Sequence, residues 1–108
     1  METKEFKGTK GEWKIQEPYN TFVYGSGGKL ICQIKYDPFS EESAANARLI
    51  SASPELLEAL QETDKDLCIL EGSMAQIEKV DKRAEGMTGL VKEWRARNKK
   101  AINKALGL

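Results

Sequence analysis

The sequence predicts an α+β fold: a three-stranded antiparallel β-meander, a short covering helix, then a C-terminal helical hairpin. Two observations carry this. Apolar residues alternate with period 2 up to Asp37 and recur with a period near 3.6 after it. Glycine-rich joints, "GSGG" at Gly25–Gly28 and "EGMTG" at Glu85–Gly89, fall where a hairpin turn and an interhelical turn are needed.

The first element expected is a loose, polar N-terminus over residues 1–10. The meander follows over residues 11–37. "EWKIQE" places Trp13 and Ile15 on one face, and "TFVYG" places Phe22 and Tyr24 opposite Val23. "KLICQIKY" is the clearest strand, with Leu30, Cys32, Ile34 and Tyr36 pointing one way. "EPYN" joins the first two strands. The glycines of "GSGG" can take the positive φ that a tight hairpin requires. "GSGGK" also suggests a phosphate cradle, but it lacks the P-loop spacing and precedes a strand, so a turn is the preferred reading. Trp13 and the Phe22/Tyr24 pair are expected in the core on the sheet face. Such a sheet needs a cover, supplied by a helix over residues 40–52. Asp37 or Ser40 can cap it, and Ala44, Ala47, Leu49 and Ile50 form its stripe.

"NARLISASPELLEAL" looks helical throughout except for Pro54. Ser53-Pro54-Glu55 reads as a helix start, with serine as N-cap and proline at N1, so two helices are expected to meet at Ser53. The second spans 54–84 with a possible break at Gly72, and a final helix spans 90–106. Leu60, Leu67 and Met74 recur every seven residues in the former; Leu90, Val91, Trp94 and Ile102 mark the latter. The whole is read as a single domain, residues 1–108. The heptad leucines leave apolar surface over, which predicts a homo-oligomer, a dimer through the helix pair, with Leu67, Met74, Met87 and Trp94 at its interface.

The composition narrows the chemistry. There is no histidine among the 108 residues, which removes Ser-His-Asp and Cys-His catalysis and histidine-containing zinc sites. Two cysteines, Cys32 and Cys68, make neither a disulfide framework nor an all-cysteine zinc site. The chain is therefore expected to be no enzyme, with no catalytic residues, metal or cofactor. No apolar run approaches the ~18 residues of a membrane span, and "METKEFKGTK" has no signal-peptide core, so a cytoplasmic protein without membrane contact is expected.

Net charge is zero but unevenly spread. Residues 1–36 carry +2, residues 37–78 carry −8 and residues 79–108 carry +6. The carboxylates Glu58, Glu62, Asp64, Asp66 and Glu71 read as a solvated helix face in preference to acid–base or magnesium chemistry. In "KEWRARNKKAINK", Lys92, Arg95, Lys99 and Lys100 can share one face. They are the candidate site for an anionic partner, arginine as a planar phosphate fork and lysine as a point charge.

The block "NARLISASPELLEAL" resembles a widespread group of small phage and prophage proteins. Their pattern has a Thr-Pro-Gly-Pro-Trp-like opening, two or three strands, and an Ala-Asn-Ala-Arg-Leu-Ile-type block running to Pro-Glu-Leu-Leu-Glu-Ala-Leu. A helical tail with Ala-Ile-x-Lys-Ala closes it. Thr9, Gly11 and Trp13 match the opening, with Lys10 and Glu12 where prolines are usual. Ala45 to Leu60 matches the central block and "AINKAL" at Ala101 to Leu106 the tail. The resemblance implies origin in a mobile element and transfers no catalytic residue. By class, it implies a non-enzymatic phage or prophage accessory protein, acting in the cytoplasm of the bacterial host. It would counter host defence, as anti-CRISPR inhibitors do, by binding a defence nuclease, its guide RNA or an immune-signal nucleotide. The alternative is a structural or regulatory phage protein that binds another phage protein through its acidic helix.

Overall fold

The computed structural model describes residues 5–15, 22–34 and 41–108. The expected "EPYN" connection, Tyr36 and the caps at Asp37 and Ser40 lie outside them. The order is β1 (Lys14–Ile15), β2 (Phe22–Tyr24), β3 (Leu30–Gln33), α1 (Glu41–Ser51), α2 (Ser53–Val80) and α3 (Met87–Leu106), with a 3₁₀ turn at Lys82–Ala84 before α3. This is the α+β meander-then-helices architecture expected. The chain forms two compact units, Met1–Leu56 and Leu57–Leu108. No helix among the described residues is long and apolar enough to cross a membrane.

In the first unit the sheet order is β1-β2-β3, antiparallel throughout. Ile15, Val23 and Cys32 are cross-strand partners and so share a face. α1 packs against β1 and β2, and Val23 and Ala47 are both fully buried. The small Ala47 lets the helix approach the sheet closely. The core is thus the Val23 face. Phe22 and Tyr24, expected in the core, are only half-buried and stack on each other with ring centroids 6.3 Å apart. The physical reason is the strand's period of 2: once α1 covers Val23, its neighbours must point away. Trp13 is half-buried as well, held by a 3.1 Å hydrogen bond from its Nε1 to the Thr9 carbonyl and by a tilted contact with Phe6. Phe6, Thr9 and Lys10 are thus tied to Trp13 and to Ser26 of the hairpin turn, where a loose segment was expected.

Pairing slips between Val23 and Tyr24: Val23 faces Cys32, but Tyr24 faces Leu30. Ile31 is the extra residue of a β-bulge, and Leu30 ends up half exposed, off the face its spacing from Cys32 predicts. Gly25 is buried beside the bulge, where a Cβ would come within 2.8 Å of Thr9 Cγ2 and 3.2 Å of Ile31 Cδ1. The turn beyond it uses positive φ at Gly27 (83°) and Gly28 (79°), as "GSGG" predicts.

The joint at Pro54 differs from the expected cap. Two helices do meet here, at Ala52: its N–H closes α1 on the Arg48 carbonyl at 3.1 Å, and its carbonyl accepts the first bond of α2, from the Leu56 N–H at 3.0 Å. Ser53 is already helical, and its hydroxyl donates back to the Leu49 carbonyl at 3.1 Å. It caps nothing. Pro54 is the second residue of α2, inside the first turn, where a missing N–H has no intrahelical partner to lose. α2 then continues unbroken past Gly72 to Val80, and α3 begins at Met87, three residues earlier than expected.

Candidate functional site

The second unit is a helical hairpin. Hydrogen bonds join α2 residues Leu60, Asp64, Glu71 and Glu78 to α3 residues Asn98, Arg95, Arg95 and Thr88, so position falls on one helix as it rises on the other. On α2, Leu57, Leu60, Asp64, Leu67, Glu71, Met74 and Glu78 are buried or half-buried and are spaced alternately three and four. On α3, Thr88, Val91, Arg95, Asn98 and Ile102 follow the same spacing, with Lys99 half-buried beside Asn98. This is the 3.5-residue repeat of a two-helix seam, with polar residues at several of its knob positions.

Arg95 is the centre of that seam. Its Nε donates to Asp64 Oδ1 at 3.2 Å and its Nη1 to Glu71 Oε2 at 3.1 Å. All three side chains are largely covered, at 17%, 18% and 21% exposure. Burial works against the arginine's charge, but the hydrogen bond and charge of Asp64, with the hydrogen bond of Glu71, hold its pKa above the ordinary arginine value. One turn away, Asn98 Nδ2 donates to the Leu60 carbonyl at 2.8 Å. Asp64 and Glu71 therefore belong to the hairpin's interior, and only Glu58, Glu62 and Asp66 of the expected acidic face stay exposed.

The N-terminus of α3 is closed from the other helix. Gly86, its N-cap, is left-handed (φ 87°) and offers no side-chain cap. Glu78 on α2 accepts the Thr88 N–H at 3.1 Å instead, satisfying one of the orphan donors. That bond, with smaller ones from Gly86 and Met87, draws the Glu78 pKa below its usual range. In the turn, Asp81 accepts from both the backbone and the guanidinium of Arg83. α3 ends at Gly107 (φ 77°), as its sequence predicts, with the Leu108 N–H bonded to the Asn103 carbonyl at 2.8 Å.

The four candidate anion-binding residues are thus divided. Arg95 faces the seam and is engaged by two carboxylates. Lys92 and Lys99 each lie one position after a seam residue, on one flank of α3, with Lys100 beside Lys99. Across that flank α2 presents Gln61, Cys68 and Ala75, none of them acidic. Lys92, Lys99 and Lys100 make no ion pair among the described residues. What remains for an anion is a short row of lysines without its arginine fork.

The four candidate interface residues divide too. Leu67 and Met74 are half-buried in the seam, while Met87 and Trp94 are 38% and 37% exposed. Among the described residues no cluster of three or more His, Cys, Asp or Glu side chains is arranged to hold a metal ion. Sequence reasoning missed the Arg95–Asp64–Glu71 group. The seven-residue spacing of Leu57, Asp64, Glu71 and Glu78 was the signal that could have found it.

A family model described as Salmonella phage P22 protein Y8K6 matches residues 1–108. No curated protein and no solved structure matches the chain.

Proposed function

Since the chain belongs to this phage protein family, we propose that it is a non-enzymatic accessory protein that counters host defence by binding. Its target is a defence nuclease, the guide RNA of that nuclease, or an immune-signal nucleotide, recognised through an anionic group by the lysine flank of α3. The observation that supports this reading is the contrast within α3. Lys92, Lys99 and Lys100 stay without carboxylate partners while Arg95, one turn from both Lys92 and Lys99, has two. A row of uncompensated ammonium groups attracts phosphate or carboxylate and gives binding that weakens as salt rises. The missing histidine and the lack of a nucleophile–base pair in the sequence support a non-catalytic role.

The rival role, binding another phage protein through the acidic helix, is supported by the exposed Glu58, Glu62 and Asp66. A pull-down from infected cells separates the two, provided co-purifying nucleic acids and small molecules are analysed with the proteins. Recovery of a defence component or an anionic ligand is the expected result. Recovery of phage structural proteins alone would favour the acidic-helix role.

A further inference from the structure

The hairpin has a second flank, opposite the lysines, and it is apolar. Leu70 and Ile77 each lie one position before a seam residue of α2, and Met87 and Trp94 one position before a seam residue of α3. In antiparallel helices that share a seam, such positions fall on the same side of the pair. Leu90 adds to the stripe from the next row. All five are between 37% and 40% exposed, and their spacing sets them in one stripe that runs back from the turn along the hairpin. Isolated apolar residues on a surface are ordinary; a stripe shared by two helices marks an interface.

The charges beside the stripe indicate its occupant. α2 carries seven carboxylates and two lysines, and α3 six cations and one glutamate. Beyond the apolar stretch, Asp66 on α2 and Arg97 on α3 border this flank, both exposed and neither ion-paired among the described residues. The Leu60–Asn98 and Glu71–Arg95 bonds set the axial register and place Asp66 about level with Arg97. We propose that this flank binds a second copy of the chain, in a two-fold dimer whose axis runs along the hairpin. Each α2 then lies against the α3 of the other copy, and the two hairpins make a four-helix bundle with antiparallel neighbours. Asp66 of each copy meets Arg97 of the other at the same height, twice over. A two-fold axis across the hairpin would instead oppose acidic α2 to acidic α2, which like-charge repulsion disfavours. The dimer leaves the Lys92–Lys99 flank outward on both copies, so one assembly presents two lysine rows.

The test is sedimentation equilibrium of the full chain and its variants at micromolar concentration. The wild type is expected at twice its 12.1 kDa chain mass. Trp94→Glu should give a folded monomer, its fold checked by circular dichroism. Asp66→Arg and Arg97→Asp should each weaken the dimer by about tenfold or more, because each sets like charges face to face. The double variant Asp66→Arg/Arg97→Asp restores the pair in reverse and should recover most of the loss. A monomeric or higher-order wild type would overturn the proposal. So would a dimer indifferent to both single charge reversals, or one that the double reversal fails to restore.

Discussion

Arg95 and Asp64, 31 positions apart in the chain, are joined by a 3.2 Å hydrogen-bonded ion pair inside the helical hairpin. The most chemically suggestive residue of the basic helix is therefore spent on holding that helix to its neighbour. Arg95→Ala should leave Asp64 and Glu71 facing each other without a cation. We expect a loss of about 2–3 kcal/mol, discounted from a fully buried pair because all three groups retain some exposure. Urea denaturation checks it. Replacing the whole group, Arg95→Met with Asp64→Leu and Glu71→Leu, should cost far less than the single change, since no charge is then left unpaired.

Glu78 lends the hairpin a pH dependence. Its carboxylate accepts the Thr88 N–H, and its folded pKa is lowered. A lowered pKa means that the unfolded chain binds the proton more readily. The stabilisation is complete above the ordinary carboxylate range and is lost as pH falls through the folded value. Glu78→Gln should flatten the acid side of the stability curve, read by thermal unfolding across the acidic range. An unchanged acid limb would show that Glu78 does not close the helix.

The core of the first unit rests on Val23 and Ala47, both fully buried. Val23→Ala should cost about 2 kcal/mol through lost burial and the cavity left behind. Ala47→Leu should cost about 1–3 kcal/mol by forcing the helix off the sheet. Leu49, 62% exposed on the same helix, is the control: Leu49→Ala should stay within about 0.5 kcal/mol.

Ser53→Ala should be mild, below about 0.5 kcal/mol, because the hydroxyl bonds back to Leu49 and caps no N–H. A true N-cap serine would cost about 1 kcal/mol. Thermal melts of the variant distinguish the two.

The meander, the covering helix and the hairpin were legible because each is written in hydrophobic period and turn chemistry. Gly27, Gly28 and Gly107 take the positive φ that their places require. Other features were not legible, for physical reasons. The β-bulge at Ile31 shifts Leu30 to the other register without any mark in the alternation, and α1 chooses the Val23 face through tertiary packing. Their charge alone predicts solvent-facing positions for Asp64, Glu71 and Arg95. Only a partner on the facing helix makes such residues tolerable in a seam, and that partner lies a turn and a helix away in sequence. The Lys92–Lys99 flank was readable as a basic run, but not as a row that excludes its own arginine.

The central claim is that the lysine flank of α3, without Arg95, captures an anionic target. It is tested most directly by the pull-down repeated with Lys92→Glu/Lys99→Glu/Lys100→Glu at several salt concentrations. The account predicts that the wild type captures its target and releases it steeply as salt rises, while the folded triple variant captures nothing. Full capture by the triple variant, with no dependence on salt, would contradict it.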